Sequence, residues 1–150
     1  MEILGIRLWK DPILHRPTEL VTEFNEELFK VMPQMLTCTR VNNGVGLSAN
    51  QIGLPQRFCV VLYQGQPSVF INPVITKKSK EKDKMSEGCL SAPRMHVIMK
   101  RAKQITVRWQ DLAGKEHIKD FSGMEARILQ HECDHLDGKM IIDSITGAMR

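Results

Sequence analysis

The most informative segment of the chain is Gln130-His131-Glu132-Cys133-Asp134-His135-Leu136-Asp137-Gly138. Ser122 lies upstream of it, and Glu125 follows Ser122 at the three-residue spacing of a capping box. That spacing predicts a helix that begins after Ser122. Gly138 can end the same helix in the left-handed conformation. The whole segment is therefore predicted to lie on one late helix.

Upstream of this helix, the sequence has one helical pattern and several extended ones. Apolar residues recur every three or four positions from Glu23 to about Thr39, which predicts a helix with Thr22 as its N-cap. β-Branched, apolar runs at 58–63, 68–71 and 105–109 predict strands, and a turn at 111–114 predicts another strand near residues 117 and 118. The predicted fold is α+β, with antiparallel β-sheets packed around the late helix and an N-terminal helix, in a single domain over 1–150.

Two histidines of the late helix predict a metal site. His131 and His135 are four residues apart, so both project from one helix face and can bind one ion. Glu132 stands beside that face, within reach of a metal-bound water, and completes the H-E-x-x-H spacing of metal hydrolases. The alternatives are two surface histidines at this spacing by accident, or a structural zinc site closed by two further ligands.

The third ligand of a catalytic site is predicted upstream of the helix. Residues 139–150 contain Asp143 but no histidine, glutamate or cysteine. Cys89, between a glycine and a leucine at the end of a polar segment, is the best candidate. A thiolate and two imidazoles leave one coordination position open, which is typical of a catalytic zinc site. Without the helix motif, Cys89 would be interpreted as a buried cysteine.

Three blocks of sequence resemble the peptide deformylase family. The family's signature blocks are G-x-G-L-A-A-x-Q, E-G-C-L-S and Q-H-E-x-D-H-L-x-G, and they correspond here to 44–51, 87–91 and 130–138. The blocks occur in the family's order with its spacing, and Asp11-Pro12-Ile13-Leu14 resembles the family's opening. The resemblance covers nearly the whole chain and implies a peptide deformylase-like fold.

The resemblance implies metal-dependent hydrolysis of the N-formyl group from the N-terminal formyl-methionine of nascent polypeptides, with release of formate. It assigns the metal to Cys89, His131 and His135. The metal lowers the pKa of a bound water, and the resulting hydroxide attacks the formyl carbon. Glu132 takes the proton of this water and later delivers it to the departing amine nitrogen. N-formyl-methionyl peptides are therefore the expected partners.

The family resemblance also assigns residues to the oxyanion and to the substrate. The side chain of Gln51 and the backbone N–H of Leu90 are expected to stabilise the oxyanion of the tetrahedral intermediate. The residues expected to line the substrate groove and the methionine pocket are Val45, Gly46, Leu90 and Ile128. The glycines of the first block also let the backbone pass close to an extended peptide, with a simple turn as the alternative.

The expected cofactor is one divalent metal ion. Members of the family are typically iron(II) enzymes, so Fe²⁺ is the expected native ion, and Zn²⁺, Ni²⁺ or Co²⁺ can substitute for it. A site of one cysteine and two histidines is also readily filled by zinc. Iron(II) beside an oxidisable thiolate predicts sensitivity to oxygen.

Three residues depart from the family's usual pattern. Ser48 replaces the first alanine of the first block, a small change that is expected to preserve close packing. His96 falls where many bacterial members carry an arginine near the substrate, so the arginine's contact is not expected here. Cys133 takes the variable position of the third block and is expected to face away from the metal. The short segment after the third block resembles phage-borne members and some compact bacterial ones.

Composition and charge limit the expected partners and compartment. The net charge is only +4 and aromatic residues make up 5%, so the lysines of 77–84 are interpreted as a solvated, mobile loop without nucleic-acid specificity. No apolar stretch has the length of a membrane span, and Met1 to Gly5 lack the pattern of a secretory signal. We expect a cytoplasmic monomer (in the host cytoplasm if phage-encoded) with reduced cysteines, acting on nascent peptides near the ribosomal exit tunnel.

Three other functions stay open from the sequence. A related metal hydrolase with a shifted substrate is favoured by His96, and activity on formylated and acetylated peptides would separate the two. A binding module without turnover is disfavoured by Glu132 and Gln51, because binding requires neither a base nor an oxyanion donor. Nucleic-acid binding through the lysines predicts a steep dependence on salt.

Overall fold

The computed structural model describes residues 5–146. Its α-helices are α1 (Glu26–Val41), α2 (Gly123–Leu136) and α3 (Asp143–Thr146). Its strands are β1 (Gly46–Ser48), β2 (Phe58–Tyr63), β3 (Gln66–Lys78), β4 (Lys82–Cys89), β5 (Ala92–Ala102), β6 (Gln104–Gln110) and β7 (Glu116–Ser122). Two short 3₁₀ helices cover Pro12–His15 and Ala49–Ile52.

The strands form two antiparallel sheets. The larger sheet has five strands in the order β1-β2-β3-β6-β7, and the smaller one pairs β4 with β5. This architecture confirms the predicted α+β fold and all the strands predicted from the apolar runs. The start of the chain, from which the absence of a secretory signal was inferred, lies largely outside the described residues, as do positions 147–150. Within residues 5–146, no helix combines the length and the apolar character needed to cross a membrane.

The larger sheet is covered by a helix on each face. Strand β2 is buried along most of its length, and its side chains alternate between two apolar clusters. Cys59 belongs to the cluster that contains Leu129 of α2, whereas its neighbour Phe58 belongs to the cluster that contains Met35 of α1. Because successive side chains of a strand point to opposite faces, this continuous apolar run serves both helices. Helix α2, which carries the histidines, is thereby fixed against the sheet.

Helix α1 begins later than predicted. Its N-cap is Asn25, whose side-chain oxygen accepts a hydrogen bond from the Leu28 N–H at 3.2 Å. The prediction of Thr22 as the cap, with a start at Glu23, was therefore wrong. An asparagine that bonds this N–H satisfies one of the free donors of the first turn, and Glu26 and Glu27 follow where acidic residues favour the positive end of a helix.

Helix α2 begins where the sequence predicted, although not through a capping box. Ser122 occupies the N-cap position, but its side chain makes no capping hydrogen bond, so that part of the prediction was wrong. At the other end, Gly138 adopts a φ of 78°, as predicted for a left-handed terminus. A Cβ atom there would lie 2.7 Å from the backbone of Arg16, so the position also requires glycine for space.

The lysine-rich segment is mostly strand rather than mobile loop. Lys77 and Lys78 end β3, and Lys82 and Lys84 lie on β4. Lys84 stands directly opposite Lys100 of β5. The lysines are exposed, as predicted, but their backbone is held by strand pairing, so the interpretation of this segment as a mobile loop was wrong.

Candidate active site

Three side chains from two elements converge beside the smaller sheet. Helix α2 carries His131 and His135 on one face, and β4 ends at Cys89 above them. The Sγ atom of Cys89 lies 3.3 Å from Nε2 of His135, which lies 3.1 Å from Nε2 of His131. The ligand atoms of all three residues lie within 4.8 Å of one another. The fold therefore brings together the three ligands that the sequence predicted.

These separations suit one metal ion. Tetrahedral zinc with ordinary bond lengths places two imidazole nitrogens about 3.3 Å apart, and a nitrogen and a thiolate sulfur about 3.6 Å apart. The observed 3.1 Å and 3.3 Å are close to these values. Within the described residues, Cys133 does not join this group, and its thiol is buried, in agreement with the expectation that it faces away. The site thus offers one sulfur and two nitrogens to a cation.

Glu87 fixes the orientation of His131. Nδ1 of His131 lies 3.0 Å from Oε1 of Glu87, and an ionised carboxylate can only accept, so Nδ1 is the donor. With its proton on Nδ1, the neutral imidazole presents the lone pair of Nε2 to the metal site. Glu87 is buried and also accepts from Arg101 and Arg127 at 2.5–3.0 Å. The carboxylate is therefore kept charged beneath the histidine.

The charges around Glu87 shift the pKa values of both partners. Burial alone would raise the pKa of Glu87, but its hydrogen bonds with His131 and Arg101 hold that pKa well below its usual value. Burial likewise opposes a charged His131, but hydrogen bonds with Cys89 and Glu87 raise its pKa to about 10. The surroundings of His131 thus favour a positive charge, which a metal ion supplies in place of the proton.

Glu132 lies at the floor of the site as a buried carboxylate. It is 3% exposed, and within the described residues its Oε1 has no hydrogen-bond partner. Burial raises the pKa of this carboxyl to about 7. A Cβ atom on Gly46 would lie 2.6 Å from its Oε2, so only glycine at position 46 leaves room for the carboxylate. A buried oxygen without a hydrogen-bond partner destabilises a fold. A reacting water that binds during turnover would supply the partner.

Gln51 enters the site from the 3₁₀ helix that follows β1. Its Nε2 donates to Oγ of Ser91 at 3.0 Å and lies 3.7 Å from Sγ of Cys89. Its Oε1 accepts from the N–H of Ser48 at 3.0 Å. The amide is buried, so its NH₂ group is directed at the metal ligands rather than at solvent.

A cleft of about 560 Å³ opens onto these groups. Of the residues assigned to the site from sequence, those that line the cleft are Val45, Gly46, Gln51, Cys89, Leu90, Ile128, His131 and Glu132. His135 lies beneath the cleft floor and is 1% exposed. His96 lies at the rim, beside Gly88. The predicted substrate-lining residues therefore share one opening with the predicted catalytic residues.

Comparison with known proteins decides the family. A family model described as polypeptide deformylase matches residues 3–150. A peptide deformylase of Thermotoga neapolitana is 39% identical over 145 residues, which cover 97% of this chain and 88% of the relative. This chain belongs to the peptide deformylase family. As a member it is a metal-binding hydrolase of protein biosynthesis, which removes the N-formyl group from nascent polypeptides.

Solved structures of the family have the same fold. The crystal structure of peptide deformylase from Thermotoga maritima superposes with a TM-score of 0.94 at 38% identity, covering 95% of this chain and 97% of that one. A Met-Ala-Ser-bound class I type b peptide deformylase from Acinetobacter baumannii gives a TM-score of 0.91 at 28% identity, covering 95% and 98%. The fold of this chain is therefore that of the solved peptide deformylases.

Several residues of this deformylase site were not singled out from the sequence. Glu87 was quoted only as part of a block, although its place two residues before Cys89 on a strand puts both side chains on the same face. Arg101 and Arg127 gave no signal, because long-range ion pairs leave no spacing in the sequence. Asn50 and Ser91 lie inside the first and second blocks, but no role was assigned to them from the sequence, since single polar residues are usually exposed.

Proposed function

We propose that this chain hydrolyses formyl-methionyl peptides with Cys89, His131 and His135 as metal ligands and Glu132 as general base and acid. The observation that carries the proposal is the convergence of the three ligand atoms beside the buried carboxylate of Glu132, whose Oε1 has no hydrogen-bond partner within the described residues. A divalent ion in such a site acts as a Lewis acid and lowers the pKa of water towards neutrality.

Glu132 moves the proton in this proposal. As the water oxygen forms its bond to the formyl carbon, a carboxylate oxygen of Glu132 accepts the water's proton. The tetrahedral intermediate then breaks its carbon–nitrogen bond, and Glu132 returns the proton to the amine nitrogen, so that formate and a free N-terminus leave. Burial raises the pKa of Glu132 and so helps the carboxyl to hold the proton between the two steps.

Gln51 and Leu90 stabilise the oxyanion that forms between these steps. The NH₂ group of Gln51 lies within the site, 3.7 Å from Sγ of Cys89, and the backbone N–H of Leu90 follows that ligand directly. A side-chain amide and a backbone N–H are typical oxyanion donors. Because the Gln51 amide is already fixed by hydrogen bonds, it requires little reorganisation when charge develops.

The substrate occupies the cleft with its methionine side chain against apolar residues. Val45, Gly46, Leu90 and Ile128 line the opening, and Val45 is 49% exposed. Gly44 sits where a Cβ atom would meet Cδ1 of Leu90 at 2.9 Å, so the backbone passes close to the other side of the cleft. The relative from Acinetobacter baumannii was crystallised with Met-Ala-Ser bound, which supports a peptide as the ligand of this chain.

The finer assignments belong to the same proposal. We assign Fe²⁺ as the native ion, with Zn²⁺, Ni²⁺ or Co²⁺ as substitutes, since a sulfur and two nitrogens accept all four. The chain acts as a single-domain monomer in the cytoplasm, on nascent peptides near the ribosomal exit tunnel. A second candidate, a shifted substrate, is favoured by His96, which lies exposed at the cleft rim where the family often has arginine.

Formate release from formyl-Met-Ala-Ser tests the proposal. The protein is prepared without oxygen, its metal content is measured, and acetyl-Met-Ala-Ser is run in parallel. The native chain should release formate, and Glu132→Gln, which keeps the shape of the side chain, should lower kcat about 10²- to 10⁴-fold at equal metal content. Equal activity of the two proteins would contradict the role of Glu132. Faster release of acetate than of formate would favour the shifted substrate.

A further inference from the structure

We infer that the hydroxyl of Ser48 is a positioning group, which fixes the amide of Gln51 and ties it to helix α2. The inference rests on the proposed function, since it takes Gln51 to be an oxyanion donor. From the sequence, Ser48 in place of the family's usual alanine was expected only to preserve close packing. The structure gives its hydroxyl two hydrogen-bond acceptors that alanine could not engage.

The hydroxyl lies at the centre of a buried polar network. Ser48 is 0% exposed, and the single proton of its hydroxyl is shared between two acceptors, Oδ1 of Asn50 at 2.7 Å and Oε1 of Gln51 at 3.0 Å. The backbone N–H of Ser48 donates to the same Oε1 at 3.0 Å. Asn50 and Gln51 are themselves buried, so these side-chain oxygens have no access to bulk water.

This arrangement selects one orientation of the Gln51 amide. With Oε1 held by two groups of Ser48, Nε2 must point the other way, towards Ser91 and Cys89. A flipped amide would place its NH₂ group against the N–H of Ser48, so that two donors face each other, and would leave the Ser48 hydroxyl with Asn50 as the acceptor for its proton. The donor that the oxyanion needs is thus set by Ser48.

The same hydroxyl connects the oxyanion donor to the metal-binding helix. Nδ2 of Asn50 donates to the backbone oxygen of His135 at 2.6 Å, in the last turn of α2. The path therefore runs from Gln51 through Ser48 and Asn50 to a metal ligand. A shift of α2 relative to β1 would be transmitted to the amide through hydrogen bonds rather than through loose packing.

A double-mutant cycle tests whether Ser48 acts through Gln51. kcat and KM are measured on formyl-Met-Ala-Ser for the native chain, Ser48→Ala, Gln51→Ala and the double variant, all at equal metal content. Gln51→Ala should lower kcat about 10²- to 10³-fold. Ser48→Ala should lower kcat about threefold to tenfold with KM unchanged, the size of one hydrogen bond, but should have no further effect in the Gln51→Ala background.

Thr18→Val is the matched control. The hydroxyl of Thr18 donates to the backbone oxygen of Leu136, the residue after His135, at 2.8 Å and, among the described residues, makes no hydrogen bond with Gln51. This variant should leave kcat unchanged, which separates positioning of the amide from general anchoring of α2. Ser48→Cys, which keeps the volume and a weak donor, should fall between native and Ser48→Ala.

The outcomes distinguish the inference from the function beneath it. The inference is overturned if Ser48→Ala leaves kcat unchanged, changes only KM, or lowers kcat equally in both Gln51 backgrounds. If Gln51→Ala itself leaves kcat unchanged, the oxyanion role proposed for Gln51 fails and the inference fails with it. Should Ser48→Ala not fold, the same cycle is run with Ser48→Cys.

Discussion

The two histidines of α2 are held by opposite kinds of chemistry. The charged side of the site is formed by Glu87, Arg101, Arg127 and Asp134. There the carboxylate of Glu87 accepts a hydrogen bond from the ring of His131. The neutral side is formed by Ser48, Asn50, Gln51 and Ser91. There the side-chain amide of Asn50 donates a hydrogen bond to the backbone oxygen of His135. Within the described residues, Nδ1 of the His135 ring has no hydrogen-bond partner.

The difference follows from what each side has to supply. On the charged side, the carboxylate of Glu87 holds the proton of His131 on Nδ1. A buried carboxylate can stay ionised for this role because two arginines balance its charge. The neutral side positions the uncharged amide of Gln51, and a fixed negative charge there would interfere with its role as a hydrogen-bond donor. A carboxylate close to Gln51 would accept from its NH₂ group in place of the oxyanion that the amide is proposed to bind.

The charged side should carry the larger share of stability. Glu87→Gln removes the buried charge that Arg101 and Arg127 share and leaves each with a single, more exposed carboxylate, so it should lower the free energy of unfolding by about 3–5 kcal/mol. Urea denaturation of metal-free protein measures this without a contribution from metal binding. Asp83→Asn is the control, since Asp83 also pairs with Arg127 but its side chain is 54% exposed. It should change the free energy by less than about 1 kcal/mol, and an equal loss in both variants would contradict the distinction.

A substitution at Gly46, which lies between the two sides, should lower the activity. Gly46→Ala places a methyl group 2.6 Å from the position of Glu132 Oε2, so the carboxylate must move. Displacement by about 1 Å can lower a rate roughly a hundredfold, and we expect a loss of that order in kcat/KM. Gly88→Ala, where the nearest atoms belong to the exposed His96 ring at 3.4 Å, should retain most of the activity. Similar losses in both would mean that crowding of the cleft, rather than Glu132, is responsible.

The neutral side should have the smaller effect on stability. Asn50→Ala removes the hydrogen bond to the His135 carbonyl and leaves the Ser48 hydroxyl with one acceptor fewer. We expect the free energy of unfolding to fall by about 1–2 kcal/mol, again by urea denaturation. Gln34→Ala, which removes an exposed hydrogen bond on α1, should change it by less than about 0.5 kcal/mol. A loss from Asn50→Ala as large as that from Glu87→Gln would remove the contrast between the two sides.

Local spacing explains which parts of the site could be predicted. His131, Glu132 and His135 lie within one helical turn, so their mutual placement follows from helix geometry alone. Cys89 joins them through pairing of β4 with β5, and only the family resemblance linked it to Gln51 and Leu90. The hydrogen bonds of Ser48 and Asn50 depend on tertiary placement within tenths of an ångström, which no sequence spacing encodes.

The mistaken interpretation of the lysine-rich segment has a related cause. Strand β4 carries Asp83 and Glu87 on the face that meets the arginines, where a half-buried strand ordinarily carries apolar residues. The alternation of polar and apolar residues that identifies strands is therefore hidden, and the segment resembles a charged loop. Asp83 within the segment and Glu87 beyond it both pair with Arg127, so ion pairs occupy positions where apolar residues would have identified the strand.

Anomalous scattering from crystals grown with Ni²⁺ tests the central assignment most directly. The account predicts one strong peak at the nickel edge, about 2.0–2.3 Å from Sγ of Cys89 and Nε2 of both His131 and His135, with Cys133 uncoordinated. A peak held by Cys133, or one that lacks Cys89, would contradict it.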